Sequence, residues 1–182
     1  MKQKTTPYSL VELFHRGGIE RYDSDKGTRH SYLPIYDDLF LKFKDDKINF
    51  FEVGYCHGGS CQLWQDYFTK ANIRIVDIEG TPFVSDRVQF EMQDSNTLTP
   101  DYFKEFAPDI ALHDGAHYLT DQLYFIKIVY PELKTGGLLI VEDVQDIDNQ
   151  RAEFIKLGIP FEIIDLRPVK NRYDDVLLIY RK

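Results

Sequence analysis

The stretch INFFEVGYCHGGSCQLWQDYF, residues 48–68, decides how the chain is read. Its first part, residues 48–54, is a short apolar run rich in β-formers that ends on glycine, as a strand covered on both faces does. Its last part carries Ser60, Leu63, Trp64, Tyr67 and Phe68 at helical spacing. Between them lies G-x-x-x-G-G-S, from Gly54 to Ser60. Strand, Gly-rich turn and helix in that order make the first half of a βαβ unit. Glycines in such a turn let backbone approach a ligand closely, and the N–H groups that open a helix favour negative charge. A tight turn with no ligand would use the same residues. The spacing is not the G-x-G-x-x-G dinucleotide fingerprint, because Tyr55 and Cys56 displace the second glycine. It is not a P-loop either, since no Lys-Ser/Thr follows.

The alternation continues in both directions. IRIVDIE (73–79), VQFEMQD (88–94), DIALHDG (109–115) and GLLIVED (137–143) read as strands. Residues 118–130 read as a helix ended by Pro131, and 148–157 as a short helix closed by Gly158. Upstream, residues 9–16 predict a helix stopped by Gly17-Gly18. Tyr32, Ile35, Tyr36, Leu39, Phe40 and Phe43 then form one helical face, with Pro34 tolerated in its first turn. This stripe and Trp64 read as core. FEIIDLR (161–167) and DVLLIYR (175–181) are separated only by RPVKNRYD, too short for a crossover helix, so they should pair antiparallel. The link TPFVSD (81–86) leaves little room for a helix. The expected fold is α/β, a Rossmann-like doubly wound seven-stranded sheet, mostly parallel with an antiparallel C-terminal strand. Residues 1–182 are expected to form one domain, with 1–46 as an N-terminal helical cap.

Composition narrows the partners. The 182 residues suit one domain, and 22 Lys plus Arg against 30 Asp plus Glu leave a formal net charge of -8. The basic residues are scattered, which argues against nucleic acid and against an anionic membrane surface. No run of 18 apolar residues exists, and MKQKTTPYSL lacks the apolar core of a signal peptide. Cys56 and Cys61 are too few for a disulfide framework or a four-ligand zinc site, and reduced thiols fit a cytoplasmic location.

In an open parallel sheet, ligands bind outside the carboxyl ends of the strands. The candidate residues all lie there. Asp77, followed by Ile78, could accept hydrogen bonds from two ribose hydroxyls, or be a solvated strand-end carboxylate. Asp94 could meet an adenine amino group. Asp114, Glu142 and Asp143 bring three carboxylates together if the fourth and fifth strands are neighbours, and hard oxygen ligands suit Mg²⁺. His117, three residues past Asp114, is placed to act as a general base. Helix-start acids and a solvated loop histidine are the plainer alternative.

At these residues the chain resembles the class I S-adenosylmethionine-dependent methyltransferases. It is most similar to the metal-dependent sugar O-methyltransferases of macrolide pathways, with the cephalosporin-hydroxylase-like proteins close by. SDKGTRHSYLPIY (24–36), FFEVGYCHGGSCQLWQDYF (50–68), HDGAHYLTDQ (113–122) and LKTGGLLIVEDVQD (133–146) carry the resemblance. It implies a class I methyltransferase fold and methyl transfer from S-adenosylmethionine to a hydroxyl of a small-molecule or glycan acceptor. Glu52, Gly54, Gly58, Gly59, Ser60, Asp77, Ile78, Asp94 and Asp114 would border the cofactor. Asp114 and Asp143 would bind Mg²⁺, with Glu142 as neighbour or third ligand, and His117 would deprotonate the acceptor. Lys26, His30 and Tyr32, with Asp25, would cap the cofactor or acceptor site. His113 stands where the family often has an acid. A homodimer is compatible with a transferase this small.

Three other readings compete. A non-catalytic S-adenosylmethionine-binding scaffold would not need Asp114, His117 and Asp143. A catechol-type O-methyltransferase would use the same metal and base. A nicotinamide-dependent oxidoreductase is opposed by the glycine spacing, and Tyr118 has Gln122 where a short-chain dehydrogenase has lysine.

Overall fold

Neighbouring residues of the central strand part company: Phe50 packs on one side of the sheet and Phe51 on the other, and both are fully buried. That is the signature of a strand covered on both faces. A computed structural model describes residues 6–81 and 85–182. Among these, one sheet holds seven strands: β1 (Asn49–Val53), β2 (Asn72–Asp77), β3 (Val88–Met92), β4 (Ile110–His113), β5 (Leu138–Val141), β6 (Phe161–Asp165) and β7 (Val176–Arg181). Their order is β3-β2-β1-β4-β5-β7-β6. The first five pair in parallel, and β7 runs antiparallel to both β5 and β6. This is the expected α/β sheet with its antiparallel C-terminal strand. The order reverses between β1 and β4, which makes their carboxyl ends the natural place for a ligand.

Helices cover both faces. α1 (Leu10–Arg21), α2 (Leu33–Phe40) and α3 (Gly59–Tyr67) pack with Phe50, Ile73, Ile75, Leu112, Ile140 and Ile179. α4 (Leu119–Val129) and α5 (Ile147–Lys156) pack with Phe51, Val76, Ala111, Leu139, Val141 and Leu178 on the opposite face. Each fully buried side chain of this size contributes about 1.5–3 kcal/mol. The aromatic stripe and Trp64 are core. Trp64 is fully buried, with ring centroids 5.7 Å from Phe40 and 5.3 Å from Phe50.

Some boundaries differ from expectation. Ser9 and Glu12 cap α1 reciprocally, but Gly17-Gly18 does not end it. The chain kinks at Gly18 (φ 67°) and makes one more turn to Arg21. From the N-terminal segment, Leu10, Tyr32, Tyr36 and Phe40 are fully buried against one face of the sheet. The β3–β4 connection carries only 3-10 turns, Ser95–Thr97 and Pro100–Phe103. The expectation for the link 81–86 falls partly on 82–84, outside the described residues. A single helical turn, Arg167–Lys170, joins β6 to β7. Among the described residues no helix is long and apolar enough to cross a membrane.

Candidate active site

A cavity of about 1080 Å³ opens over the carboxyl ends of β1 to β5. One half is built around the Gly-rich turn. The Asp77 carboxylate, at the end of β2, accepts from the backbone N–H of Tyr55 (2.6 Å) and of Cys56 (3.3 Å) through Oδ2. Its Oδ1 takes a 3.3 Å bond from the Glu79 N–H and no other among the described residues. Asp77 therefore holds the turn in place and keeps acceptor capacity toward the cavity. Two glycines are demanded by close packing. A Cβ on Gly54 would lie 2.0 Å from the carbonyl oxygen of Asp114, and one on Gly59 would lie 2.2 Å from that of Asp23. The turn is thus pressed between β4 and the segment after α1. Asp94 Oδ1 accepts from the Asn96 N–H at 2.9 Å, and the residue faces the same cavity.

Under the other half lies an ionic cluster whose Lys26, Glu52 and Glu142 are buried and whose Asp114 reaches the cavity wall. Lys26 Nζ donates to Asp114 Oδ2 and to Glu142 Oε2, the latter at 2.7 Å, and stands 3.8 Å from Glu52 Oε1. The Tyr36 hydroxyl donates to Glu142 Oε1. Glu52 Oε2 accepts from Trp64 Nε1 (3.0 Å) and Ser60 Oγ (3.2 Å). Burial opposes the charge on Lys26, but Asp114, Glu142 and Glu52 outweigh it and raise its pKa well above the ordinary value. Burial likewise pushes the Glu52 carboxyl up to about 7 and raises that of Glu142, where Asp114 adds to the effect. One ammonium thus serves three carboxyl groups.

Above this cluster, Asp143 faces the cavity. Its backbone is left-handed (φ 54°), a conformation that aspartate tolerates better than most residues. The turn sends Glu142 inward and Asp143 outward from consecutive positions. Asp143 Oδ1 accepts from the Tyr32 hydroxyl at 2.5 Å and lies 3.4 Å from His30 Nδ1, while Oδ2 lies 3.5 Å from His117 Nε2. Burial, and then Asp114, raise the Asp143 pKa. Asp114, His117 and Asp143 offer three ligand atoms within 4.8 Å of one another, and Asp25, His30 and Asp143 form a second such group. Two carboxylates on a cavity wall, with room for water, fit a hard divalent cation.

The cavity brings together Gly54, Gly59, Ser60, Asp77, Ile78, Asp94, Asp114, His117 and Asp143. Other expected residues lie elsewhere. Glu52 and Glu142 are beneath the floor, and Gly58 packs against the Tyr55 ring. Lys26, His30 and Tyr32 do not cap the site: all three are buried and absent from the cavity wall, because their polar atoms reach down to strand-end carboxylates. His113 is buried edge-on against Phe125, 5.1 Å away, and burial pushes its imidazole down to about 3, so it is neutral. Tyr36 and Asp175 escaped the sequence reading. Asp175 Oδ1 accepts from the Ser31 N–H at 3.2 Å and lies 3.4 Å from His30 Nδ1. The only signal was the helical stripe, which marks Tyr36 as core and says nothing of its hydroxyl.

No protein-family model matches the chain. It is 29% identical over 138 residues to 8-demethyl-8-alpha-L-rhamnosyl tetracenomycin-C 2'-O-methyltransferase of Streptomyces olivaceus, covering 69% of this chain and 36% of that one. It is 26% identical over 167 residues to demethylmacrocin O-methyltransferase of Streptomyces fradiae, covering 80% and 42%. The chain therefore spans about two fifths of the length of these relatives. Among solved structures, it superposes on the MycE methyltransferase of the mycinamycin pathway, in complex with Mg, SAH and mycinamycin VI, with a TM-score of 0.77. That match has 19% identity and covers 98% of this chain and 55% of MycE. A ribosomal RNA methyltransferase from Plasmodium falciparum matches with a TM-score of 0.61 at 16% identity, covering 88% of this chain and 98% of that one. The fold is that of the class I methyltransferases, and it is shared by proteins with very different acceptors.

Proposed function

We propose that this chain, which has the class I methyltransferase fold, moves a methyl group from S-adenosylmethionine to a hydroxyl oxygen of a sugar or glycoside. Mg²⁺ and a histidine base assist. The observation that carries the reading is one cavity lined both by the Asp77-braced glycine turn and by Asp114, His117 and Asp143. The relatives named above are O-methyltransferases, one of them named for a rhamnosyl tetracenomycin, which supports the acceptor class. Reduced Cys56 and Cys61 suit a cytoplasmic enzyme, and the charge of -8 speaks against a nucleic-acid substrate.

S-adenosylmethionine, when bound, supplies an electrophilic methyl on a sulfonium, and the cation lowers the pKa of the acceptor hydroxyl. The protein does the rest. Asp77 receives the ribose hydroxyls on its free lone pairs, and Asp94 meets the adenine edge. The turn from Gly54 to Ser60 cradles the amino-acid portion. Asp114 and Asp143 would hold Mg²⁺ through oxygen, which would leave His117 free. His117 Nδ1 is buried, so the acceptor proton goes to Nε2, where Asp143 Oδ2 at 3.5 Å stabilises the imidazolium. The donor would supply the methyl carbon and its sulfur would keep the electron pair of the C–S bond, so no further co-reactant would be needed. Alignment of oxygen, carbon and sulfur supplies much of the acceleration.

Calorimetric titration with S-adenosylmethionine, and separately with NAD, each with and without Mg²⁺, tests the cofactor. Micromolar binding of S-adenosylmethionine with no NAD response is expected. No binding of S-adenosylmethionine under either condition overturns the reading. Methyl transfer to a panel of glycosides and a catechol then sorts the acceptor.

A further inference from the structure

The ends of three adjacent strands each contribute one carboxylate to the cluster beneath the cavity: Glu52 from β1, Asp114 after β4 and Glu142 after β5. Three convergent carboxylates would ordinarily be read as a divalent-cation site. Here the centre is occupied by the Lys26 ammonium, fully buried, bonded to Asp114 and Glu142 and 3.8 Å from Glu52. An ammonium is a compact point charge with three donors, suited to three acceptors. The other Glu142 oxygen is taken by the Tyr36 hydroxyl, so both of its oxygens are committed. Lys26 is also pinned along its backbone, its carbonyl accepting from the Tyr32 N–H at 3.1 Å.

We propose that Lys26 is the resident cation of the Glu52–Asp114–Glu142 cluster, so that Glu142 is not a metal ligand and any divalent ion is confined to the outer carboxylates, Asp114 and Asp143, beside His117. Asp114 alone belongs to both groups. Lys26 is thus a positioning residue: a tethered charge that cannot dissociate fixes the Asp114 carboxylate whether or not a metal is present. The segment after α1, which carries Lys26, becomes a strut between the sheet and the cation site. The inference builds on the proposed cation site only in saying where an ion goes.

Crystals of the wild-type protein soaked in Mn²⁺ test it through anomalous scattering. The expected map places any Mn²⁺ beside Asp143 and Asp114, with Nζ still on Glu142. A map with no Mn²⁺ and Nζ seated also upholds the inference. Mn²⁺ bonded to Glu142 with Lys26 swung aside overturns it. In Lys26→Met, the cluster loses its cation, and Mn²⁺ affinity should rise at least tenfold with a new ion bonded to Glu142. A folded Lys26→Met with no Glu142-bound ion overturns the inference as well. Should that variant not fold, the wild-type map decides alone. Neither measurement uses a methyl donor, so failure here leaves the methyl-transfer reading standing.

Discussion

Gly54 and Asp114 meet backbone to backbone: a Cβ on Gly54 would lie 2.0 Å from the Asp114 carbonyl oxygen. Gly54 also has φ 106°, which L side chains rarely adopt. Gly54→Ala must therefore push β4 away from the glycine turn, at a cost of about 2–5 kcal/mol from strain and overpacking together. Gly136→Ala is the control. Its φ is 83° but nothing lies within 4 Å of the added carbon, so only the conformational cost of about 1 kcal/mol applies. Urea unfolding of the two variants separates the terms, and equal losses would contradict the close contact.

His117 and Asp143 are expected to matter for rate rather than folding. His117→Asn should lower methyl transfer about 10²–10⁴-fold, the usual worth of a general base. Binding of S-adenosylmethionine should be little changed. Asp143→Asn keeps the left-handed backbone accessible, since asparagine also tolerates it. It should raise the Mg²⁺ concentration needed for half-maximal rate. Steady-state kinetics across Mg²⁺ concentrations check both, and an unaltered rate in His117→Asn removes it as the base.

Metal choice should be legible in the same assay. Mg²⁺ takes oxygen ligands and leaves the imidazole free, whereas Zn²⁺ readily takes nitrogen. Zn²⁺ added to the Mg²⁺-loaded enzyme should therefore inhibit, by bringing His117 into coordination with Asp114 and Asp143. Activation by Zn²⁺ equal to that by Mg²⁺ would contradict a free His117.

The two thiols should behave oppositely. Cys56 is exposed on the cavity wall, while Cys61 is buried and its thiol is pushed up to about 12 by burial. Intact-mass measurement after iodoacetamide should show one adduct on the native protein, at Cys56, and two in urea. Bound S-adenosylmethionine should slow the native reaction. Labelling of Cys61 in the native state would contradict its packing.

Acid should weaken the fold partly through His113. Its pKa falls from about 6.5 when unfolded to about 3 in the folded protein, because burial disfavours the imidazolium. Between those values the unfolded chain binds a proton that the folded chain refuses. Stability therefore drops as pH falls through that window, by up to about 1.4 kcal/mol per pH unit from this group. His113→Leu should flatten that part of the profile. Thermal unfolding of both proteins from pH 7 to pH 4 checks it, and parallel curves would mean that His113 is not held neutral.

Much of the architecture could be read from residue pattern. Apolar runs such as 48–53 and 137–141 announce strands covered on both faces, and the short link before β7 announces its antiparallel direction. The site was legible only in part. Its acids stand at strand ends, where periodicity stops carrying information. Nothing in Glu142-Asp143 signals that a left-handed turn sends one carboxylate to the core and the other to the cavity. Lys26 lies in the polar stretch 22–31 and is expected from the sequence to cap the site rather than lie beneath it, because lysine is almost never fully buried without partners. Its partners come from residues 52, 114 and 142, a long-range arrangement that no local pattern encodes.

The place of β7 sets the order in which this molecule can be made. β7 follows β6 in the chain, yet it sits between β5 and β6 rather than at an edge. The residues just before it finish the site: the Asp174 carbonyl accepts from the Tyr32 hydroxyl at 3.2 Å, and Asp175 holds the Ser31 N–H. A nascent chain that has not yet released residues 174–181 from the ribosome thus presents two open strand edges and an unfinished cavity. Such edges are templates for pairing with other chains. Closure of the sheet and completion of the site therefore arrive as a single event, when β7 inserts between β5 and β6.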